Sequence, residues 1–231
     1  MKTPRAIWAV VPVKQTADAK QRLAGVLDRS WRRELALAMF ADVLDAVAAA
    51  SELSGIIVST LDEAAARIAA RYGARVFIEA AGEGHTAAVM AAARRLAQEG
   101  SAMLTVPADI PLVQADDICQ IIGAWEMSED SPAFCIVPAR DECGSNAVLC
   151  APADAVPLSF GDDSFLPHVR AAQACGITPM VLRVPRIALD IDTPADLDRL
   201  MANPAPTRTH ALLEQWRDAD KLAAAPHASA D

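Results

Sequence analysis

The sequence predicts an α/β protein whose mainly parallel sheet is covered by helices on both faces. Short β-branched apolar runs alternate with longer Ala/Leu-rich segments of helical period as far as Met127. The apolar runs are continuous, as strands buried on both faces require. The rhythm breaks once, between residues 133 and 151, where two apolar runs flank a short turn and predict an inserted hairpin.

The first strand is Ile7 to Val13. Arg32 to Ala50 then sets Leu35, Met39, Val43 and Val47 on one stripe at i, i+4 spacing, which is an amphipathic helix. Gly55 to Thr60 is the second strand, followed by a helix from about Asp62 to Tyr72. The third strand lies in ARVFIE, and the helix after it, from His85, closes at Gly100 in the position of a left-handed C-cap. Ala102 to Pro107 is the fourth strand and Ala115 to Met127 the next helix. AFCIVP and NAVLCA are the hairpin strands, separated by ARDECGS. The loop DAVPLSFGDDS leads into a helix ending near Cys175 and Gly176, and MVLRVP and IALDID are expected as the last strands. Thr193 at N-cap, Pro194 at N1 and Asp196 at N3 open another helix.

Residues 1–203 read as one domain, because a 231-residue chain that is 53% hydrophobic can bury a sizeable single core. Residues 204–231 read as a tail with a linker, a short helix around Leu212 to Leu222 and a disordered end. Its apolar residues Leu212, Leu213 and Trp216 are expected to pack on the body or on a second copy, which leaves a homodimer open. No internal repeat is present.

The formal net charge is -9, so polyanions are repelled at long range and neither a nucleic acid nor an anionic membrane is expected as a partner. Any bound anion must be met by a local basic cluster. No apolar run approaches the roughly 18 residues of a membrane span. The N-terminal apolar run is too short for a signal peptide, so a cytoplasmic protein is expected. Cys119, Cys135, Cys143, Cys150 and Cys175 form no C-x-x-C pair, and small apolar roles are expected for them rather than zinc binding or disulfides.

In an open parallel sheet, ligands bind at the carboxyl ends of the strands. Lys14, Lys20 and Arg22 follow the first strand and supply three cations for a polyphosphate, although loop lysines are often only solvated charges. Asp109 follows the fourth strand, and Asp190 and Asp192 end another predicted strand. Carboxylates from two strand ends suit Mg²⁺ when water and phosphate complete its shell. Asp109 also suits a turn before Ile-Pro and Asp192 suits a helix start, whereas Asp190 has no such alternative. The P-loop, the G-x-G-x-x-G fingerprint and the G-x-S-x-G elbow are all absent. With His210 and His227 in the tail, His85 and His168 are too few and too separated for a zinc site.

VPVKQTADAKQRLAGVLDRSWRRELALAMFADVL, PADIPL, GSNAVL, FGDDSFLPH and LDIDTPADL together resemble the 2-phospho-L-lactate guanylyltransferase family of coenzyme F-420 biosynthesis. The likeness runs in order from Ile7 to Leu200 and leaves out the tail. It implies a single-domain, Rossmann-like nucleotidyltransferase fold, of the nucleotide-diphospho-sugar transferase type, with an inserted hairpin. The implied reaction moves GMP from GTP to the phosphate of 2-phospho-L-lactate, phosphoenolpyruvate or 3-phospho-D-glycerate and releases pyrophosphate. The implied nucleotide contacts are Pro12, Lys14, Lys20, Arg22, His85, Thr86 and Pro107. Lys14, Lys20, Arg22 and Asp109 would carry the catalysis, and Asp109, Asp190 and Asp192 would hold Mg²⁺. The acceptor would lie against Asn146, Gly161 and Ser164. Ser164 also heads a helix, where its hydroxyl and nearby N–H groups are expected to face an anion or cap the helix.

Two departures stand out. Ser145 replaces the Thr of many relatives, and GEGHTAAV replaces a Gly-Leu-Asn-like turn at the third strand exit. Alternative readings are a nucleotidyltransferase of the same fold that charges a sugar phosphate or molybdenum cofactor, or a nucleotide-binding module without catalysis. PADIP carries a single acid where a glycosyltransferase would place D-x-D.

Overall fold

The computed structural model runs β1 (Ile7–Val13), α1 (Arg29–Ala49), β2 (Gly55–Thr60), α2 (Glu63–Arg71), β3 (Arg75–Phe77), α3 (Gly84–Gln98), β4 (Ala102–Thr105), α4 (Ala115–Met127), β5 (Ala133–Pro138), β6 (Ser145–Ala151), α5 (Phe165–Ala174), β7 (Met180–Val181), α6 (Pro185–Ala188), α7 (Pro194–Ala202) and α8 (Arg208–Asp218). Residues 6–77, 84–128, 131–161 and 163–218 are described, without the side chains of Gly84 and His85. Two single-turn 3₁₀ helices, Thr16–Asp18 and Gln21–Leu23, shape the connection from β1 to α1.

The sheet order is β3-β2-β1-β4-β6-β5-β7. Only β6 runs antiparallel to its neighbours, β4 and β5, so the expected parallel sheet with an inserted hairpin is what forms. β1 explains the unbroken apolar runs. Ala9 and Val11 face a core shared with α1, α2 and α4, while Val10 faces one shared with α3 and α5. Both faces are buried, so polar alternation has no place on this strand.

A third apolar cluster lies off the sheet. Leu23, Leu27, Leu35 and Met39 meet Ile191, Leu197 and Leu200, and α8 covers them with Leu213 and Trp216. The helix begins at Arg208 because Asp42 of α1 caps it: Oδ1 accepts from the Arg208 N–H (2.8 Å) and Oδ2 from the Thr209 N–H (2.9 Å) and hydroxyl (2.5 Å). This cap moves the tail helix four residues upstream of its predicted start. Leu213 and Trp216 are buried on the body of the same chain.

The helix starts follow local rules. Thr193 and Asp196 form the predicted reciprocal cap of α7, with Pro194 at the first position. Gly100 and Gly176 close α3 and α5 at φ +70° and +75°, a region that a Cβ disfavours. α1 begins three residues before its predicted start because the Asp28 side chain accepts from the Trp31 N–H.

Two predicted strands need correction. MVLRVP forms only Met180–Val181, because Pro185 begins α6. Ile187–Asp192 does not form a strand at all: Ile187 and Ala188 belong to α6, and Leu189 to Asp192 then crosses the end of the sheet. Ala188 O accepts the Arg140 N–H and the Ile191 N–H donates to Asp109 O, so these backbone groups do not enter a ladder. Arg186 anchors this crossing by a two-pronged ion pair to the buried Asp117 of α4, at 2.7 and 2.8 Å.

Among the described residues no helix is long and apolar enough to cross a membrane. Cys135 and Cys150 are buried, and desolvation pushes both thiols up, Cys135 to about 12. They act as small apolar side chains.

Candidate functional site

The sheet opens between its two central strands. β1 lies between β2 and β4, and the chain leaves it first toward β2 and β3 and only later returns to β4. Such a reversal leaves a crevice at the carboxyl ends. Here proline chemistry widens it. β1 pairs with β4 as far as Val10 and Thr105, and Val10 O accepts the Val106 N–H. Pro12 occupies the next β4-facing position and has no N–H to continue the ladder, and Pro107 follows Val106 directly.

Lys20 fills the mouth of this crevice. Its ammonium donates to Asp109 Oδ2 at 2.6 Å and Asp192 Oδ1 at 2.7 Å, and its side chain is 9% exposed. Burial by itself would lower the lysine pKa, but the two carboxylates outweigh it and hold the group above its ordinary value. Lys20 adopts φ +52°, a left-handed conformation costing a non-glycine residue about 1 kcal/mol. Burial tends to raise Asp192, yet Lys20, Arg22 and Lys14 together hold its carboxyl below the usual range. Asp190 is shifted the other way. Burial raises it, a hydrogen bond from Asn146 opposes, and the charges of Asp109 and Asp192 raise it further.

Two clefts meet here. One, of about 470 Å³, runs under the Lys14–Arg22 loop past Pro12. The other, of about 700 Å³, extends between the β5–β6 turn, the loop before α5 and the start of α7. Lys14, Arg22, Pro107, Asp109 and Asp192 line both. The antiparallel β6 matters here, because it brings Ser145 and Asn146, at its beginning, to the end of the sheet where the parallel strands finish.

The second cleft is held by a network of side chains. Asn146 donates to Ile187 O (2.9 Å) and Asp190 Oδ1 (3.0 Å). Ser164 Oγ accepts the Ser145 N–H (3.1 Å) and lies 3.3 Å from Ser145 Oγ. Ser145 Oγ is 2.9 Å from His168 Nδ1, and His168 Nε2 accepts the Ser159 N–H at 2.9 Å. Burial depresses His168 to about 4, so the ring is neutral at neutral pH.

The predicted residues gather unevenly. Lys14, Lys20, Arg22, Pro12, Pro107, Asp109 and Asp192 converge on the crevice, and Asn146, Gly161, Ser164 and Asp190 line the second cleft. A Cβ on Gly161 would meet nothing within 4 Å, so packing does not demand that glycine. Thr86 lines neither cleft; its hydroxyl accepts the Phe160 N–H at 2.9 Å. The His85 side chain lies outside the described residues. Ser164 makes no side-chain cap to α5, contrary to that expectation, because its hydroxyl is engaged by Ser145. The Phe165 N–H is likewise taken, by Cys143 O.

Sequence reasoning missed Ser145 and His168 as partners, and also Arg140 and Arg199, which border the second cleft. The GSN and SFLPH motifs contained the first pair. Their meeting across 23 positions has no local signal.

Among the described residues, no three His, Cys, Asp or Glu side chains form a group able to hold a metal alone. The cation on which Asp109 and Asp192 close here is the Lys20 ammonium, and Asp190 feels the charge of both carboxylates. Hard carboxylate oxygens with room for phosphate oxygens fit Mg²⁺.

A family model described as guanylyl transferase CofC like matches residues 7–227, so the likeness continues into the tail that the motif comparison left out. The phosphoenolpyruvate guanylyltransferase of Roseiflexus castenholzii is 36% identical over 210 residues, covering 91% of this chain and 95% of that protein. The 3-phospho-D-glycerate guanylyltransferase of Colwellia psychrerythraea is 36% identical over 192 residues, covering 83% and 89%. A solved structure from Desulfovibrio desulfuricans G20, described as a candidate nucleotide-diphospho-sugar transferase, superposes with a TM-score of 0.72. At 16% identity, covering 92% of this chain and 95% of that one, it supports the fold alone. With its sheet reversal, its paired clefts and a family match spanning nearly all its length, the chain belongs to the CofC-like guanylyl transferase family.

Proposed function

We propose that this protein transfers GMP from GTP to the phosphate of a small phosphorylated three-carbon acid and releases pyrophosphate. The observation that carries the reading is the junction of two clefts at five shared residues, Lys14, Arg22, Pro107, Asp109 and Asp192. A transferase that joins two substrates needs two sites meeting where the bond forms. The guanylyltransferases named among the relatives support the nucleotide and the class of acceptor.

The acceptor phosphate is itself the nucleophile. An oxygen of that phosphate bonds to the α-phosphorus of GTP as the bond to the bridging oxygen breaks, and pyrophosphate leaves. Catalysis is then positioning and charge neutralisation, with no protein nucleophile required. Lys14 and Arg22 border both substrates and neutralise the phosphates at the junction. Lys20 remains charged between its two carboxylates and contributes a fixed positive centre. Mg²⁺ would be held by Asp109 and Asp190, with Asp192 as a third carboxylate, and would supply charge neutralisation for the phosphate oxygens. Asn146 orients Asp190 within this set. The acceptor would lie against Asn146, Gly161 and Ser164, and a place in coenzyme F-420 assembly is part of the same proposal.

Mass spectrometry of the purified protein with GTP, Mg²⁺ and each of 2-phospho-L-lactate, phosphoenolpyruvate and 3-phospho-D-glycerate tests the reading, with ATP and CTP as controls. A guanosine-diphosphate-linked acid in at least one reaction is expected and identifies the acceptor. Absence of both product and pyrophosphate from all three overturns it.

A further inference from the structure

We infer that His168 is a positioning residue that fixes the hydroxyl of Ser145 as a hydrogen-bond donor into the second cleft, ready for an anionic oxygen of the acceptor. The inference rests on the proposed reaction for the identity of that acceptor. The direction of the donor chain comes from the residues themselves.

The Ser159 N–H can only donate, so the nitrogen it meets, His168 Nε2 at 2.9 Å, must carry a lone pair. The neutral ring then carries its proton on Nδ1. That nitrogen lies 2.9 Å from Ser145 Oγ, so the ring donates and the serine oxygen accepts. The neighbouring Ser164 hydroxyl, whose oxygen already receives the Ser145 N–H, sends its own proton toward Ser145 Oγ at 3.3 Å. Both lone-pair directions of Ser145 Oγ are thereby occupied, and its remaining proton has to point elsewhere. Ser145 borders the second cleft. A hydroxyl set this way offers a donor and no acceptor, which suits a phosphate or carboxylate oxygen.

The surroundings keep the ring in this state. His168 is 1% exposed, and Phe160 meets it edge-on with ring centroids 5.0 Å apart. A backbone donor and a serine on opposite ring nitrogens leave no rotation that preserves both bonds. The role differs from general-base catalysis, because the phosphate nucleophile needs no base.

Two measurements test the assignment. In long-range ¹H–¹⁵N NMR of the full chain with labelled histidine, assigned by loss of the signal in His168→Asn, a neutral ring protonated at Nδ1 is expected at pH 7. A ring protonated at Nε2 overturns the inference, whatever the enzyme does. Kinetics then separates positioning from support. His168→Asn keeps an N–H near the Nδ1 position and loses the acceptor for Ser159, whereas His168→Gln keeps an acceptor near Nε2 and loses the donor to Ser145. His168→Gln is expected to raise KM for the phospho-acid roughly ten- to a hundredfold with KM for GTP unchanged, the loss of one hydrogen bond to a charged group. His168→Asn should stay much closer to wild type, and His168→Gln should add nothing further in a Ser145→Ala background. If Asn is the more damaging substitution, the histidine merely supports the loop and the inference fails. If the wild-type protein uses no phospho-acid, the proposed reaction fails while the NMR result still decides the state of His168.

Discussion

Lys20 joins two properties that rarely meet in one residue, a left-handed backbone and an ammonium enclosed by two carboxylates. Strain of this kind persists only where the surroundings over-determine it. Asp109 and Asp192 are 29% and 39% exposed, so water relieves part of their repulsion once the cation is gone. Lys20→Met is therefore expected to lower stability, but by less than the about 3–5 kcal/mol of breaking a fully buried pair. Transfer should fall roughly a hundredfold or more, because a preorganised charge at the reacting phosphates is lost. Denaturant titration and product formation measured side by side check this, and near wild-type turnover would remove Lys20 from the chemistry. His168 carries a pH signature. Its folded pKa is depressed from 6.5 to about 4 by burial, so its contribution is complete above pH 6.5 and is lost as pH falls toward 4. About 3 kcal/mol is expected to disappear over that window. Asp192 and Asp62, held below the carboxylate range, lose their contributions only below pH 3.8, and Asp42 and Asp190, which are raised, act with the opposite sign. Urea unfolding at several pH values should show a flatter slope between pH 6.5 and 4 for His168→Gln than for the wild type.

At the scale of elements, legibility followed the source of stability. β1, β2, β5 and α4 begin and end where the sequence places them, because buried apolar runs and helical stripes are local patterns. The reciprocal cap of α7 was equally plain, since Thr193, Pro194 and Asp196 are close in sequence and complete their bonds among themselves. The segment Ile187–Asp192 misled for a physical reason. Its apolar residues alternate like a strand, yet Leu189 and Ile191 plug the third cluster from the end of the sheet, while Ile187 joins the core that the sheet shares with α1, α2 and α4. The partners that decide this, Asp117, Asn146, Arg140 and Asp109, lie 41 to 82 positions away or on separate elements. The placement has a functional consequence. Had the segment extended the sheet, Asp190 and Asp192 would sit in a ladder, whereas crossing the sheet end delivers them to Asn146 and Lys20.

Across the whole molecule, the third cluster links the tail to the site. α8 lays Trp216 against Trp31 of α1 at 5.3 Å between ring centroids, and the same cluster contains Leu23 after Lys20 and Ile191 before Asp192. Trp216 is 5% exposed, so Trp216→Ala is expected to cost about 3 kcal/mol through a cavity the cluster cannot fill. Thermal unfolding checks the stability loss. Because the cluster underlies both the loop that bears Lys20 and the strap that bears Asp192, the same variant should also lower transfer. Unchanged melting would show that α8 is not part of the folded body. The sequence by itself determined the α/β class, the strand exits that carry the basic and acidic residues, and the family likeness, because apolar period, capping and short motifs are written over a few neighbouring positions. Only the tertiary structure decided that Lys20 lies between Asp109 and Asp192, that Ser145 meets His168, and that the tail closes the third cluster. Those contacts depend on strand order and on the reversal of β6, which bring distant residues together through burial and pairing that no local pattern encodes.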